Sequence, residues 1–135
     1  LNATIRKDSD KVAELVELAH SSYTSLLKYN DENALSCVLT MAYFTAPAYY
    51  NVIREFPSGI GFADLVLIPR EDTSGHPAII LELKWNKDAN SAIKQIKERN
   101  YTGNLKGYRK KVLLVGINYD KKSQDKKHTC IIEEI

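Results

Sequence analysis

Cysteine is nearly missing from this 135-residue sequence, with Cys37 and Cys130 the only two. Two thiols so far apart make neither a disulfide framework nor a zinc-ligand spacing, so they read as reduced, largely buried side chains. Histidine is as scarce: His20, His76 and His128 stand in polar or terminal stretches without ligand spacing. No apolar run approaches the roughly 20 residues of a membrane span, and residues 1–10 lack the apolar core of a signal peptide. A soluble, cytoplasmic protein with no membrane partner is the expectation. There is no Gly-x-x-x-x-Gly-Lys-Ser/Thr phosphate loop and no Gly-x-Ser-x-Gly elbow, which removes the commonest nucleotide-binding and serine-hydrolase signatures. A net charge of +2 is too small to argue for nucleic acid by itself. The first residue is Leu1 and the single methionine is Met41, so the chain reads as a fragment of a longer protein.

What is present is ordinary globular usage, 44% hydrophobic and 27% charged, in a length that suits one domain with a real core. A first helix starts near Asp10, with Ser9 or Asp8 as N-cap, and carries Val12, Leu15, Val16, Ala19, Tyr23, Leu26 and Leu27 at helical spacing. Asn30 caps a second, from Asp31 to about Thr45, whose apolar stripe is Leu35, Val38, Leu39, Ala42 and Tyr43. Pro47 ends it, and Ala48 to Phe56 reads as a strand closed by Pro57, Ser58 and Gly59. After a central hairpin, Asn86 or Asp88 caps a third helix reaching about Tyr101, with Ala89, Ala92, Ile93 and Ile96 as its stripe. Lys111 to Asn118 is an apolar run without alternation, as in a strand covered on both faces, and His128 to Glu134 is a last strand. The order ααβββαββ predicts an α/β fold, a mixed sheet flanked by helices.

The hairpin organises the rest. Its arms are Gly61 to Pro69 and Pro77 to Trp85, both rich in branched apolar residues. If it closes symmetrically about Thr73, Pro69 faces Pro77 and Asp64 faces Glu82. Cross-strand partners stand about 5 Å apart, where like charges repel. Each acid also lies in an apolar run, where an unpaired charge costs several kcal/mol or neutralises itself. Lys84 shares the Glu82 face by the period of two, and a bound divalent cation would offset the pair more fully. A solvated Glu-x-Lys face is the plain alternative, but Ile80, Phe62, Val66 and Ile68 make this face apolar apart from the three charges.

Asp64 within Gly-Phe-Ala-Asp-Leu-Val-Leu-Ile-Pro, followed by Ile-Leu-Glu-Leu-Lys-Trp at 80–85, resembles the PD-(D/E)xK nuclease superfamily. The likeness is to the nuclease-like domain at the C-terminal end of bacterial AAA-ATPase-like proteins. It spans 30–135, including Ala-Ile-Lys-Gln-Ile-Lys-Glu-Arg-Asn-Tyr at 92–101, Lys-Val-Leu-Leu-Val-Gly-Ile-Asn-Tyr-Asp at 111–120 and Cys-Ile-Ile-Glu-Glu at 130–134. Residues 1–29 form an N-terminal helical segment beside that core. The resemblance implies a restriction-endonuclease-like fold and an ATPase-like domain upstream in the same polypeptide. It also implies that an acid from the helix before the sheet, Glu32, completes a metal site. Gln95 and Tyr101 match positions that some nucleases of the superfamily place near the bound strand or metal.

The expected activity is metal-dependent hydrolysis of phosphodiester bonds in nucleic acid, DNA first. Asp64 and Glu82, with the Leu83 backbone carbonyl, would hold Mg²⁺ or Mn²⁺. Lys84 would orient the attacking water and stabilise charge on the phosphate. Lys106 to Lys111, with Tyr108 inside it, and Lys121 to Lys127 read as solvated turns or as phosphate contacts with stacking. The competing expectation is a nuclease-like module that binds or regulates without useful catalysis.

Overall fold

The computed structural model describes residues 1–23, 39–40, 42–58, 61–71, 75–98, 111–120, 122 and 127–135, with side chains except at 21–23, 55–58 and 61–64. In chain order come α1 (Asn2–Ile5), α2 (Ser9–Tyr23), a 3-10 turn (Ala46–Ala48), β1 (Tyr50–Ser58), β2 (Gly61–Pro69) and β3 (Ala78–Trp85). They are followed by α3 (Ala89–Glu98), β4 (Val112–Tyr119) and β5 (His128–Glu134). The strands make one sheet in the order β1-β2-β3-β4-β5. β1, β2 and β3 are an antiparallel meander, β4 runs parallel to β3, and β5 returns antiparallel to β4. A parallel step cannot be closed by a tight turn, and α3 lies in the connection that makes it. This is the mixed, helix-flanked α/β sheet that the sequence predicts.

The two faces sort by parity. Leu65, Leu67, Ile79, Leu81, Leu83, Leu113, Val115 and Ile117 pack with Val12 and Val16 of α2 and Ala3 of α1. Val66, Ile80, Val112 and Leu114 pack on the other side with Ile93 and Ile96 of α3. Alternate residues of a strand point to opposite faces, so a strand buried on both sides shows no alternation in its sequence. β3 and β4 are such strands: every residue of β4, and all of β3 but Trp85, is buried. Full burial of each branched side chain contributes about 1.5–3 kcal/mol.

Boundaries follow caps and prolines. The Asp8 carboxylate accepts the Lys11 N–H at 3.1 Å and starts α2, so Asp8 is the cap of the two considered. α1 has no sequence counterpart among the expected elements. It is a single turn, too short to show periodicity, tied down by a 2.5 Å hydrogen bond between the buried Thr4 and Tyr43 hydroxyls. Leu26 and Leu27, and positions 31–38 and 41 of the expected second helix, lie outside the described residues, as does Cys37. Leu39, Thr40 and Ala42 are helical, but the chain has turned by Tyr43 and enters the 3-10 turn at Ala46, short of the expected Thr45 end. β1 accordingly begins at Tyr50 rather than Ala48 and continues through Pro57, which an edge strand tolerates. β4 is shifted by one residue from the expected 111–118, while β5 has the expected limits.

Candidate active site

β3 is the middle strand, and its even positions face α3. Ala78 and Ile80 are apolar and buried. Beyond them Glu82 is 4% exposed and Lys84 8%. Taking such charges out of water costs several kcal/mol per ion unless partners replace the solvent. Gln95 of α3 is a partner to both: its Nε2 donates to Glu82 Oε1, and its Oε1 accepts from Lys84 Nζ. The opposite amide orientation would set NH₂ against an ammonium, two donor groups facing each other. One neutral side chain therefore spans the carboxylate and the amine.

Gln95 reaches them because α3 lies very close to the sheet. Gly116 of β4 is the register partner of Glu82. A Cβ at Gly116 would stand 2.6 Å from Ala89 O, 3.0 Å from Ala92 Cβ and 3.1 Å from Ile93 Cγ1. Only a residue without a side chain admits the first turn of α3 there. The turn into α3 is fixed as well. Asn118, partner of Lys84 across β3 and β4, accepts the Lys87 N–H at 3.0 Å and donates to Lys87 O at 3.2 Å. Asn86 takes a left-handed φ of 51° and donates its N–H to Tyr119 O at 2.7 Å. Asp88 caps α3 through the Ser91 N–H at 2.7 Å and hydroxyl at 3.1 Å, the second of the two caps considered.

The register of β2 on β3 is the expected one, with Leu65 opposite Leu81, Val66 opposite Ile80 and Leu67 opposite Ile79. Continued by one residue, it sets position 64 across from position 82. The Asp64 side chain, Glu32 and Tyr101 lie outside the described residues, as do Tyr108 and most of both basic clusters. Leu83 is 1% exposed, and its side chain packs on the α2 face, so only its backbone belongs to this site. Among the described residues, no three His, Cys, Asp or Glu side chains gather where a metal ion would be held.

Two of the three histidines, His20 and His128, come together. On the α2 face, His128 Nδ1 pairs with Glu17 Oε2. The His20 ring stands edge-on to His128 at 5.5 Å and to Tyr119 at 5.7 Å, and Trp85 lies 4.8 Å from Tyr119. Burial holds the His128 imidazole below its ordinary pKa of 6.5, with Glu17 opposing. Burial, and then the charge of His128, lower His20. No local pattern links residue 20 to residue 128; docking of α2 on β5 brings them together. His76 sits apart, against Tyr49 at 5.6 Å and Tyr50 at 5.9 Å.

A five-stranded mixed sheet with flanking helices and a buried Glu-x-Lys on its middle strand defines a restriction-endonuclease-like α/β domain. The family model of the PD-(D/E)XK nuclease superfamily matches residues 30–129, and the chain belongs to that superfamily. No curated protein matches the chain significantly. Among the described residues, no helix is long and apolar enough to cross a membrane.

Proposed function

We propose that this chain is a metal-dependent nuclease that hydrolyses phosphodiester bonds, with DNA as its substrate. The observation that carries the reading is the buried Glu82–Gln95–Lys84 arrangement, on the strand whose register runs toward Asp64. A solvated Glu-x-Lys face would leave both side chains exposed, and here both are buried.

The donor chemistry fits a hard divalent cation: the Glu82 carboxylate, the Leu83 carbonyl and the Asp64 carboxylate are oxygen ligands of the kind Mg²⁺ prefers. Glu32 is the candidate for a further acid. When bound, the ion supplies a Lewis acid for the phosphate and a water of lowered pKa. Lys84 offers a fixed positive charge to the phosphate oxygens and a donor that orients water. Gln95 holds the carboxylate and the amine at a set separation, and it is also the residue, with Tyr101, that would meet the substrate strand. We place the site in a cytoplasmic bacterial protein with an ATPase-like domain on the same polypeptide, on the strength of the resemblance at 30–135.

Purified protein should cut single- or double-stranded DNA with Mg²⁺ or Mn²⁺, RNA serving as the comparison. Asp64→Ala, Glu82→Ala and Lys84→Ala should each abolish cutting. Activity that survives all three ends the proposal. A second reading, a module that binds without cutting, draws on the same Gln95 bridge, since that amide already occupies both side chains. Calorimetric titration with Mn²⁺ separates the two: the catalytic site binds the ion and loses it in Asp64→Asn.

A further inference from the structure

β4 contributes no charged group beside Glu82 and Lys84, yet its residues opposite them are polar or empty in a stretch that is otherwise apolar. Across from Glu82 stands Gly116, and across from Lys84 stands Asn118. Asn118 is 3% exposed, in a strand whose other residues are apolar apart from the tyrosine at its end. A buried amide is costly unless its donor and acceptor are used, and Asn118 uses both on one residue of the turn between β3 and α3. Lys87 N–H donates to Oδ1 at 3.0 Å, and Nδ2 donates to Lys87 O at 3.2 Å. The turn is thus fastened to β4 by a side chain, in addition to the Asn86 N–H on Tyr119 O.

What the fastening controls is the start of α3. Asp88, the residue after Lys87, caps the helix, and Gln95 follows two turns later with its amide on Glu82 and Lys84. The two turns between the cap and Gln95 carry any tilt at the helix start to Gln95 as a displacement of the amide, and a hydrogen bond tolerates only a few tenths of an ångström. We propose that Asn118 is a positioning residue of the site: by clamping Lys87 it sets the seat of α3 and so holds Gln95 on the carboxylate and the amine. For its effect on cutting, this inference rests on the catalytic reading of Glu82 and Lys84. The placement of Gln95 is testable without that reading.

The test compares Asn118→Ala with Val16→Ala, a cavity on the opposite face that lowers stability without touching α3. The first readout is exchange with water of the Gln95 side-chain NH₂, followed by NMR. In the wild type, the proton donated to buried Glu82 is protected. Asn118→Ala should speed its exchange about 10-fold or more, while Val16→Ala leaves it within about two-fold. Asn118→Leu, which keeps a side chain of similar length but neither accepts from the Lys87 N–H nor donates to Lys87 O, is read in the same way if the alanine variant fails to fold. Unchanged Gln95 exchange in a folded Asn118 variant, or an equal change in Val16→Ala, overturns the proposal. The second readout is Mg²⁺-dependent cutting, where kcat should fall about 10-fold in Asn118→Ala with KM nearly constant, as expected for misplaced catalytic groups. A wild type that cuts nothing removes the catalytic reading, and the Gln95 amide still decides whether Asn118 positions it.

Discussion

Gly116 is the register partner of Glu82, and its missing side chain is the space in which the backbone of Ala89 lies. The two positions are one device. The glycine brings α3 down onto the sheet, and the helix presents Gln95 to the glutamate. Closeness of helix and strand, rather than any charge on β4, is what lets a carboxylate and an amine stay buried side by side.

Gly116→Ala should therefore be disproportionately harmful. The new methyl meets a backbone oxygen at 2.6 Å, which cannot rotate away, so the helix must lift. Overpacking of this kind costs about 1–3 kcal/mol. Urea unfolding monitored by circular dichroism should show the loss, and the Gln95 amide should lose its protection. A variant as stable as the wild type, with Gln95 still protected, contradicts the packing described.

Gln95→Leu keeps the volume and removes the amide. Glu82 loses a donor and Lys84 an acceptor in a buried setting, a cost of about 1–3 kcal/mol by the usual penalty for stranded polar groups. On the proposed catalytic reading, cutting should fall about 10- to 100-fold, since the two reacting groups lose their common brace. Gln95→Glu should do worse than leucine, because it sets a second carboxylate against Glu82. Steady-state kinetics and melts on the pair provide the comparison. Equal behaviour of wild type and Gln95→Leu in both assays would remove Gln95 from the site.

How much of this was legible in the sequence follows from the range of each interaction. The strands β2 and β3, their register, and the shared face of Glu82 and Lys84 depend on runs of branched apolar residues, on the two-residue period of a strand and on two bracketing prolines, which are local. α3 and its Asp88 cap are local too, and the apolar stripe correctly named the face that packs. The role of Gly116 was not legible, because the clash that excludes a side chain comes from Ala89, Ala92 and Ile93, 23 to 27 positions earlier in the chain. The Asn118 clamp was hidden for the same reason: an asparagine in an apolar run says only that it needs partners. α1 escaped because four residues are too few for a period. His20 and His128 looked scattered because their meeting is purely tertiary.

Cys130 should be a poor nucleophile. Burial, and secondarily the charge of Asp10, push its thiol up to about 12. At pH 8 almost none of it is thiolate, and the thiolate is the reactive form. In a Cys37→Ser background, iodoacetamide should modify native Cys130 at least about 100-fold more slowly than the urea-unfolded chain. Mass spectrometry of quenched time points reads the rate, and labelling as fast as in urea would contradict the burial of this thiol.

Burial of His20 and His128 between α2 and β5 should make stability depend on pH in a definite direction. Both His128 and His20 have native pKa values below the ordinary 6.5, each chiefly because burial disfavours the imidazolium. Below that value the unfolded chain takes up protons that the native chain refuses. The unfolded state then binds more protons, so stability rises with pH across this window and falls as pH drops. Above about pH 7 both states are neutral at these rings and the contribution is complete. Glu17 on α2 opposes the shift at both rings, while Lys127 at the start of β5 adds to it, and Tyr119 is the other titratable group of the cluster. Each histidine can contribute at most about 1.4 kcal/mol per pH unit within its window. Urea midpoints measured between about pH 5 and pH 7.5 should decline toward acid in the wild type and decline less in His128→Gln. Glu17→Gln removes the group that favours the charged ring, so it should steepen the acid loss, provided the glutamine still accepts from Nδ1. A wild-type midpoint that is flat over this range, or an equally steep decline in the double variant His20→Gln, His128→Gln, would show that these rings titrate as they do in water and that α2 is not held to β5 by a neutral imidazole.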